Sequence, residues 1–149
     1  MSTYKITLAD ISGIKKSIKI GIVTADFNKH YTDALEEKNV TFLKAQWFEN
    51  IHTFRVPWAF EIPAFTKKLL KTEKYDLILT FWVVIRGDTP HVDYVCNECS
   101  RGLMNLSIKF DTPLIFWLLT CNTDDQVKVR IWENYAISGL NLLAETQKI

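Results

Sequence analysis

The sequence predicts an α/β protein whose parallel sheet is covered by helices on both sides. Two observations carry this. Apolar, β-branched runs alternate with helical patterns along the 149 residues, without an internal repeat, low-complexity segment or interdomain linker. The run at 77–85 is almost wholly apolar, as a strand buried on both faces requires. Alternation of this kind implies a parallel sheet sandwiched by helices, joined by right-handed crossovers.

The elements follow in order. Residues 17–24 read as a buried strand, 31–38 as a first helix and 40–46 as a second strand. A short extended piece at 53–56 leads to Pro57, a residue suited to start a helix. The helix that follows carries Ile62, Phe65 and Leu69 at three- and four-residue spacing. After the strand at 77–85, Val92, Cys96, Cys99, Leu103, Leu106 and Phe110 mark one helical stripe. Residues 114–119 form the fourth sheet strand, and helices over 123–131 and 134–146 close the chain.

Composition narrows the function classes. At this length the chain forms one domain, 1–149, able to bury a real core, with 1–16 as an N-terminal extension. A formal charge of +1 and 48% hydrophobic residues argue against disorder and against nucleic-acid binding driven by bulk charge. No apolar run reaches bilayer-spanning length, and residues 1–19 lack the apolar core of a signal peptide. Three cysteines, an odd count with no extracellular context, point to reduced thiols in the cytoplasm. Cys96 and Cys99 have CxxC spacing, but they lie inside a helical pattern with no second pair. Two small core residues is the better reading than a redox or zinc pair, and no metal is expected.

The most informative stretch is 83–98. An apolar run ends in Arg86-Gly87-Asp88-Thr89-Pro90, and a helical pattern begins at His91. In a parallel sheet this junction lies at a strand's carboxyl end, where ligands bind. Gly87 permits close backbone approach, Thr89 supplies a hydroxyl, the helix start offers amides to an anion, and His91 sets an imidazole beside them. Other strand ends converge on the same edge. They bring Asp26, Phe27 and Asn28, then Ala59, Phe60 and Glu61, then Thr120, Cys121, Asn122 and Thr123, with Arg130 shortly after. An aromatic face, amides, hydroxyls and one bidentate cation suit a planar heterocycle with a polyol tail and a separate phosphate. Singly each is weak. Phe27 fits a core as well as a stacking face, Glu61 suits any helix amino end, and Arg130 suits a plain surface.

Taken together, the residues match a known family. The chain resembles lumazine synthase, the penultimate enzyme of riboflavin biosynthesis, in segments that run in the family's order over nearly the whole length. These are residues 21–28, Val56-Pro57 with 59–63, residues 84–91 continuing through 94–98, and residues 113–123. The resemblance implies a flavodoxin-like three-layer α/β/α protomer with a four-stranded parallel sheet, assembled as a homopentamer or a 60-mer shell. It implies condensation of 5-amino-6-(D-ribitylamino)uracil with 3,4-dihydroxy-2-butanone 4-phosphate, with no cofactor and no metal. By motif, Phe27 would stack on the pyrimidinedione, and Ala59, Phe60 and Glu61 would hold the ribityl chain with Asn28 nearby. Val84 and Ile85 would bind the ring edge, Gly87, Asp88 and Thr89 the phosphate region, and His91 would shuttle protons. Phe116 and Arg130 would come from the neighbouring subunit. A non-catalytic binding or shell-forming relative, or a related riboflavin-pathway synthase, are the alternatives.

Two departures stand out. The family often carries a lysine several residues after the Arg130 position, and the stretch 131–135 has none. Trp58, Trp82, Trp117 and Trp132, and plausibly Trp47, stand where the family pattern has glycine. Two explanations fit: genuine aromatic residues, or UGA codons that mean glycine in the source and were read as tryptophan.

Overall fold

The computed structural model describes residues 5–117 and 119–149. Strand β1 (Ile20–Ala25) leads into helix α1 (Lys29–Ala45), and β2 (Ile51–Val56) into α2 (Glu61–Leu70). Strands β3 (Leu77–Phe81) and β4 (Val83–Ile85) precede α3 (His91–Lys109). Then come β5 (Leu114–Phe116), β6 (Leu119–Cys121), α4 (Asp124–Lys128) and α5 (Asn134–Thr146). The main sheet has four parallel strands in the order β2-β1-β3-β5, and β4 and β6 form a second parallel pair. This is the expected flavodoxin-like α/β arrangement.

The core is two-sided, because alternate residues of a strand face opposite layers. Ile20, Ile22, Leu77 and Leu79 point into one cluster with Leu35 and Leu43 of α1 and Leu140 of α5. Val23, Ile78 and Leu114 point into the other, with Ile62 of α2 and Val95 and Leu103 of α3. Gly139 lets α5 lie close to the sheet: a Cβ there would stand 2.9 Å from a methyl of Leu77. Residues 5–16 run along α5, where Ala9 N–H donates to Asn141 at 2.8 Å and the Asn141 amide donates to the Thr7 carbonyl at 2.9 Å. No helix among the described residues is long and apolar enough to cross a membrane.

Four sequence expectations need correction. The strand expected at 40–46 is the second half of α1. Its buried stripe is Tyr31, Leu35, Asn39 and Leu43 at helical spacing, and polar Asn39 hides it. The Asn39 amide donates to the carbonyls of Leu35 and Trp132, both at 2.9 Å, and its oxygen accepts the Ala136 N–H at 2.9 Å. The place of 40–46 in the sheet is taken by β2, of which only 53–56 was expected. The run at 77–85 is not one strand: it divides at Trp82 into β3 and β4. The strand expected at 114–119 divides likewise after Phe116, and residue 118 lies outside the described residues. The helix expected at 123–131 spans only Asp124–Lys128, where the Thr123 hydroxyl caps it by accepting the Gln126 N–H.

The division keeps register. Thr80 faces Phe116 and Val83 faces Leu119, so three residues pass on each strand between the two pairings.

Candidate active site

The carboxyl ends of β1, β2 and β4 and the amino ends of α2 and α3 meet at one edge. Each loop there is fixed by backbone bonds. After β1, the Asp26 N–H donates to the Val56 carbonyl at 2.8 Å and the Phe27 N–H to the Pro57 carbonyl at 3.1 Å. Asn28 takes a left-handed conformation, φ 56, which asparagine tolerates. Its side-chain amide donates to the Val83 carbonyl at 2.8 Å, tying the β1 loop to β4. Arg55 adds a clamp that no motif announces: its guanidinium bonds Asp26 and Glu36, each at 2.9 Å, and Glu36 also accepts the hydroxyl of buried Thr24.

The second loop presents Trp58, Ala59 and Phe60 at the start of α2. The Glu61 carboxylate turns back to accept the Trp58 N–H at 2.8 Å, so it serves its own helix start in this state. Ala59 is buried, whereas Phe60 is exposed. The third loop, 86–90, is exposed throughout. Its ends are held by the Arg86 N–H, which donates to the Cys121 carbonyl at 2.8 Å, and by the Arg86–Asp93 ion pair at 2.8 Å. A Cβ at Gly87 would meet nothing within 4 Å, so the protomer itself imposes no close approach there. No side chain caps α3, which leaves its leading amides at this edge for an anion. His91, the first residue of that helix, lies with its ring 6.2 Å from that of Phe60.

Phe27, Trp58, Ala59, Phe60, Val84 and His91, with Val95 at the back, line one small cavity. Its volume is about 60 Å³, well short of the roughly 300–1,000 Å³ of a ligand pocket. The reason is visible: the Trp58 indole stacks on Phe27, ring centres 4.6 Å apart and 28° from parallel. Trp58 thus lies on the very face of Phe27 that the resemblance assigns to the pyrimidinedione.

Phe116 and Arg130 lie outside this cavity. Phe116 is half-buried against the α2–α3 layer, and Arg130 Nη1 donates to the Gln126 carbonyl at 2.8 Å. The Thr120 hydroxyl meets the Cys96 thiol at 3.0 Å. Burial pushes the Cys99 thiol up to about 12 and raises Cys96 as well, so both stay protonated at neutral pH and neither is a ready nucleophile. All three cysteines are free. Among the described residues no cluster of histidine, cysteine and carboxylate could hold a metal ion.

The family model for 6,7-dimethyl-8-ribityllumazine synthase matches residues 17–144. A protein of Limosilactobacillus reuteri (strain DSM 20016) with that name is 42% identical over 115 residues, which cover 77% of this chain and 76% of the relative. The chain therefore belongs to the 6,7-dimethyl-8-ribityllumazine synthase family, transferases of riboflavin biosynthesis.

Proposed function

We propose that the protein condenses 5-amino-6-(D-ribitylamino)uracil with 3,4-dihydroxy-2-butanone 4-phosphate to 6,7-dimethyl-8-ribityllumazine, and does so at the Phe27–His91 cavity. The observation that carries this placement is the convergence of an aromatic face, a helix start, a strand end and an imidazole on one mouth. Phe27 stacks on the pyrimidinedione, and the edge of Val84 and Ile85 reads the ring through backbone groups. Ala59, Phe60 and Glu61 hold the ribityl hydroxyls, with Asn28 fixing the neighbouring loop. Gly87, Asp88 and Thr89 surround the phosphate next to the free amides of α3.

The chemistry needs proton movement at each stage. The amine adds to the ketone and loses water to give a Schiff base, phosphate leaves by elimination, and the second nitrogen adds to the remaining carbonyl, whose oxygen departs as a second water as the ring closes. Imidazole is the side chain best suited to both accept and donate protons in general acid–base catalysis, and His91 stands at the mouth to do so. Neither organic cofactor nor metal enters this scheme.

Phe116 and Arg130 complete the site from an adjacent subunit of a pentamer, alone or within a 60-mer. Their position outside their own chain's cavity supports this. The three unpaired thiols suit the cytoplasm. A second reading, a binding or shell-forming relative without turnover, draws its support from Trp58 covering Phe27. Incubating the purified protein with both substrates separates the two. Lumazine absorbance with matching phosphate release supports the enzyme; bound substrate with neither supports the binder.

A further inference from the structure

One tryptophan has a backbone conformation that suits a residue without a side chain, and three others pack into the core or over the candidate site. Trp47 has φ 68 at the end of α1. Its N–H donates to the Lys44 carbonyl at 2.9 Å and the Phe48 N–H to the Leu43 carbonyl at 3.1 Å. That pair of bonds defines a Schellman ending, whose left-handed residue is usually glycine. A bulky residue there is an outlier, and none of the chain's glycines takes a positive φ among the described residues.

Trp82 is fully buried, and its indole N–H has no hydrogen-bond partner. It sits where the β1–β3 ladder ends and where β3 gives way to β4. Trp117 lies at the same level on the next strand, its ring 5.3 Å from that of Tyr135. Because pairing resumes in unchanged register beyond them, the backbone itself asks for no gap. Trp58 is 52% exposed and Phe27 42%, yet the indole lies over one face of the Phe27 ring and lines the cavity.

Composition supplies a common cause. The chain has five tryptophans and five glycines, whereas average usage near 7% gives roughly ten glycines. UGA neighbours the tryptophan codon UGG, and its meaning differs between genetic codes. We propose that positions 47, 58, 82, 117 and 132 are glycine in the working protein, encoded by UGA, and that glycine at 58 uncovers Phe27 for a planar heterocycle. Trp132 joins the set through the common cause; there it is the carbonyl, not the ring, that Asn39 holds. Only the ligand rests on the proposed function.

The test reads codons, intact mass, stability and ligand binding. The coding sequence should carry UGA at all five positions. Protein from the native cells should have an intact mass lower than the written chain by five tryptophan-to-glycine differences. A single UGG codon, or the tryptophan mass, overturns the proposal.

In a standard-code host, the written chain is compared with a variant carrying Trp47→Gly, Trp58→Gly, Trp82→Gly, Trp117→Gly and Trp132→Gly. The variant should melt at a higher temperature and yield more soluble protein. Were the tryptophans native, removing a fully buried indole would lower the melting midpoint, and that result also overturns the proposal. The variant should bind ribitylaminouracil about tenfold or more tightly, the scale of one added ring stack. A stabilised variant with unchanged binding removes the uncovering of Phe27 while leaving the codon assignment standing.

Discussion

At the end of the sheet nearest Ile20, β1 pairs with β2 along all six of its residues and with β3 along five, and the paired side chains are sealed from solvent on the inner strands. At the opposite end only the three-residue pairing of β4 with β6 continues, flanked by exposed loops that carry the candidate site. One end holds the fold together through burial; the other presents groups to a ligand and is held by point contacts such as Asn28 to Val83 and Arg86 to Asp93. Stability and chemistry are therefore divided along the length of the same strands, and substitutions at the two ends should separate in their effects.

The largest effect should come from His91→Ala at the open end. Turnover should fall by about 10²–10⁴-fold while the melting midpoint stays put, because the His91 side chain is exposed. Stopped assays of lumazine formation beside calorimetry check this, and an unchanged rate removes His91 from the mechanism. Leu79→Ala at the sealed end should do the converse. It should cost about 2–5 kcal/mol in denaturant unfolding with unchanged activity per folded molecule; a disproportionate loss of activity would break the division between the ends.

Arg130→Ala should raise KM for the phosphorylated butanone by about ten- to a hundredfold, the worth of one hydrogen-bonded charge at about 1.5–3 kcal/mol. KM for ribitylaminouracil should change little, and equal losses for both substrates point to assembly instead. The smallest effect belongs to Arg86→Ala. Its partner Asp93 is about half exposed, so stability should shift by less than about 1 kcal/mol. Hydrogen exchange should show the loop at 86–90 loosened and β1 untouched; loosening of β1 would mean that the two ends share their stability.

What the sequence made legible follows the same division. Almost wholly apolar strands such as 77–81 and the stripe of α3 are readable because burial on both faces, or on one helical face, leaves a direct pattern. The second half of α1 is not, because a polar residue satisfied by distant backbone groups occupies a core position. The strand at 51–56 was only half read, since its edge position leaves most of its side chains half-buried or exposed. At the site, Phe27, Ala59, Phe60, Val84 and His91 were picked out by motif and stand together around one cavity. The stacking of Trp58 and the clamp of Arg55 depend on spatial neighbours far apart in sequence, which spacing alone does not reveal.

Asn39 also constrains when the molecule can become itself. Its partners lie at Leu35, Trp132 and Ala136, and the last two follow it by 93 and 97 residues. Before they are made, α1 emerges from the ribosome with a core asparagine whose one local partner is the Leu35 carbonyl. A domain that folds as a unit while its chain is still growing would have to bury the Asn39 side-chain oxygen without the Ala136 N–H that it accepts in the folded protein. The nascent chain should therefore stay open to proteases until the first turn of α5 is available to Asn39, and close abruptly thereafter.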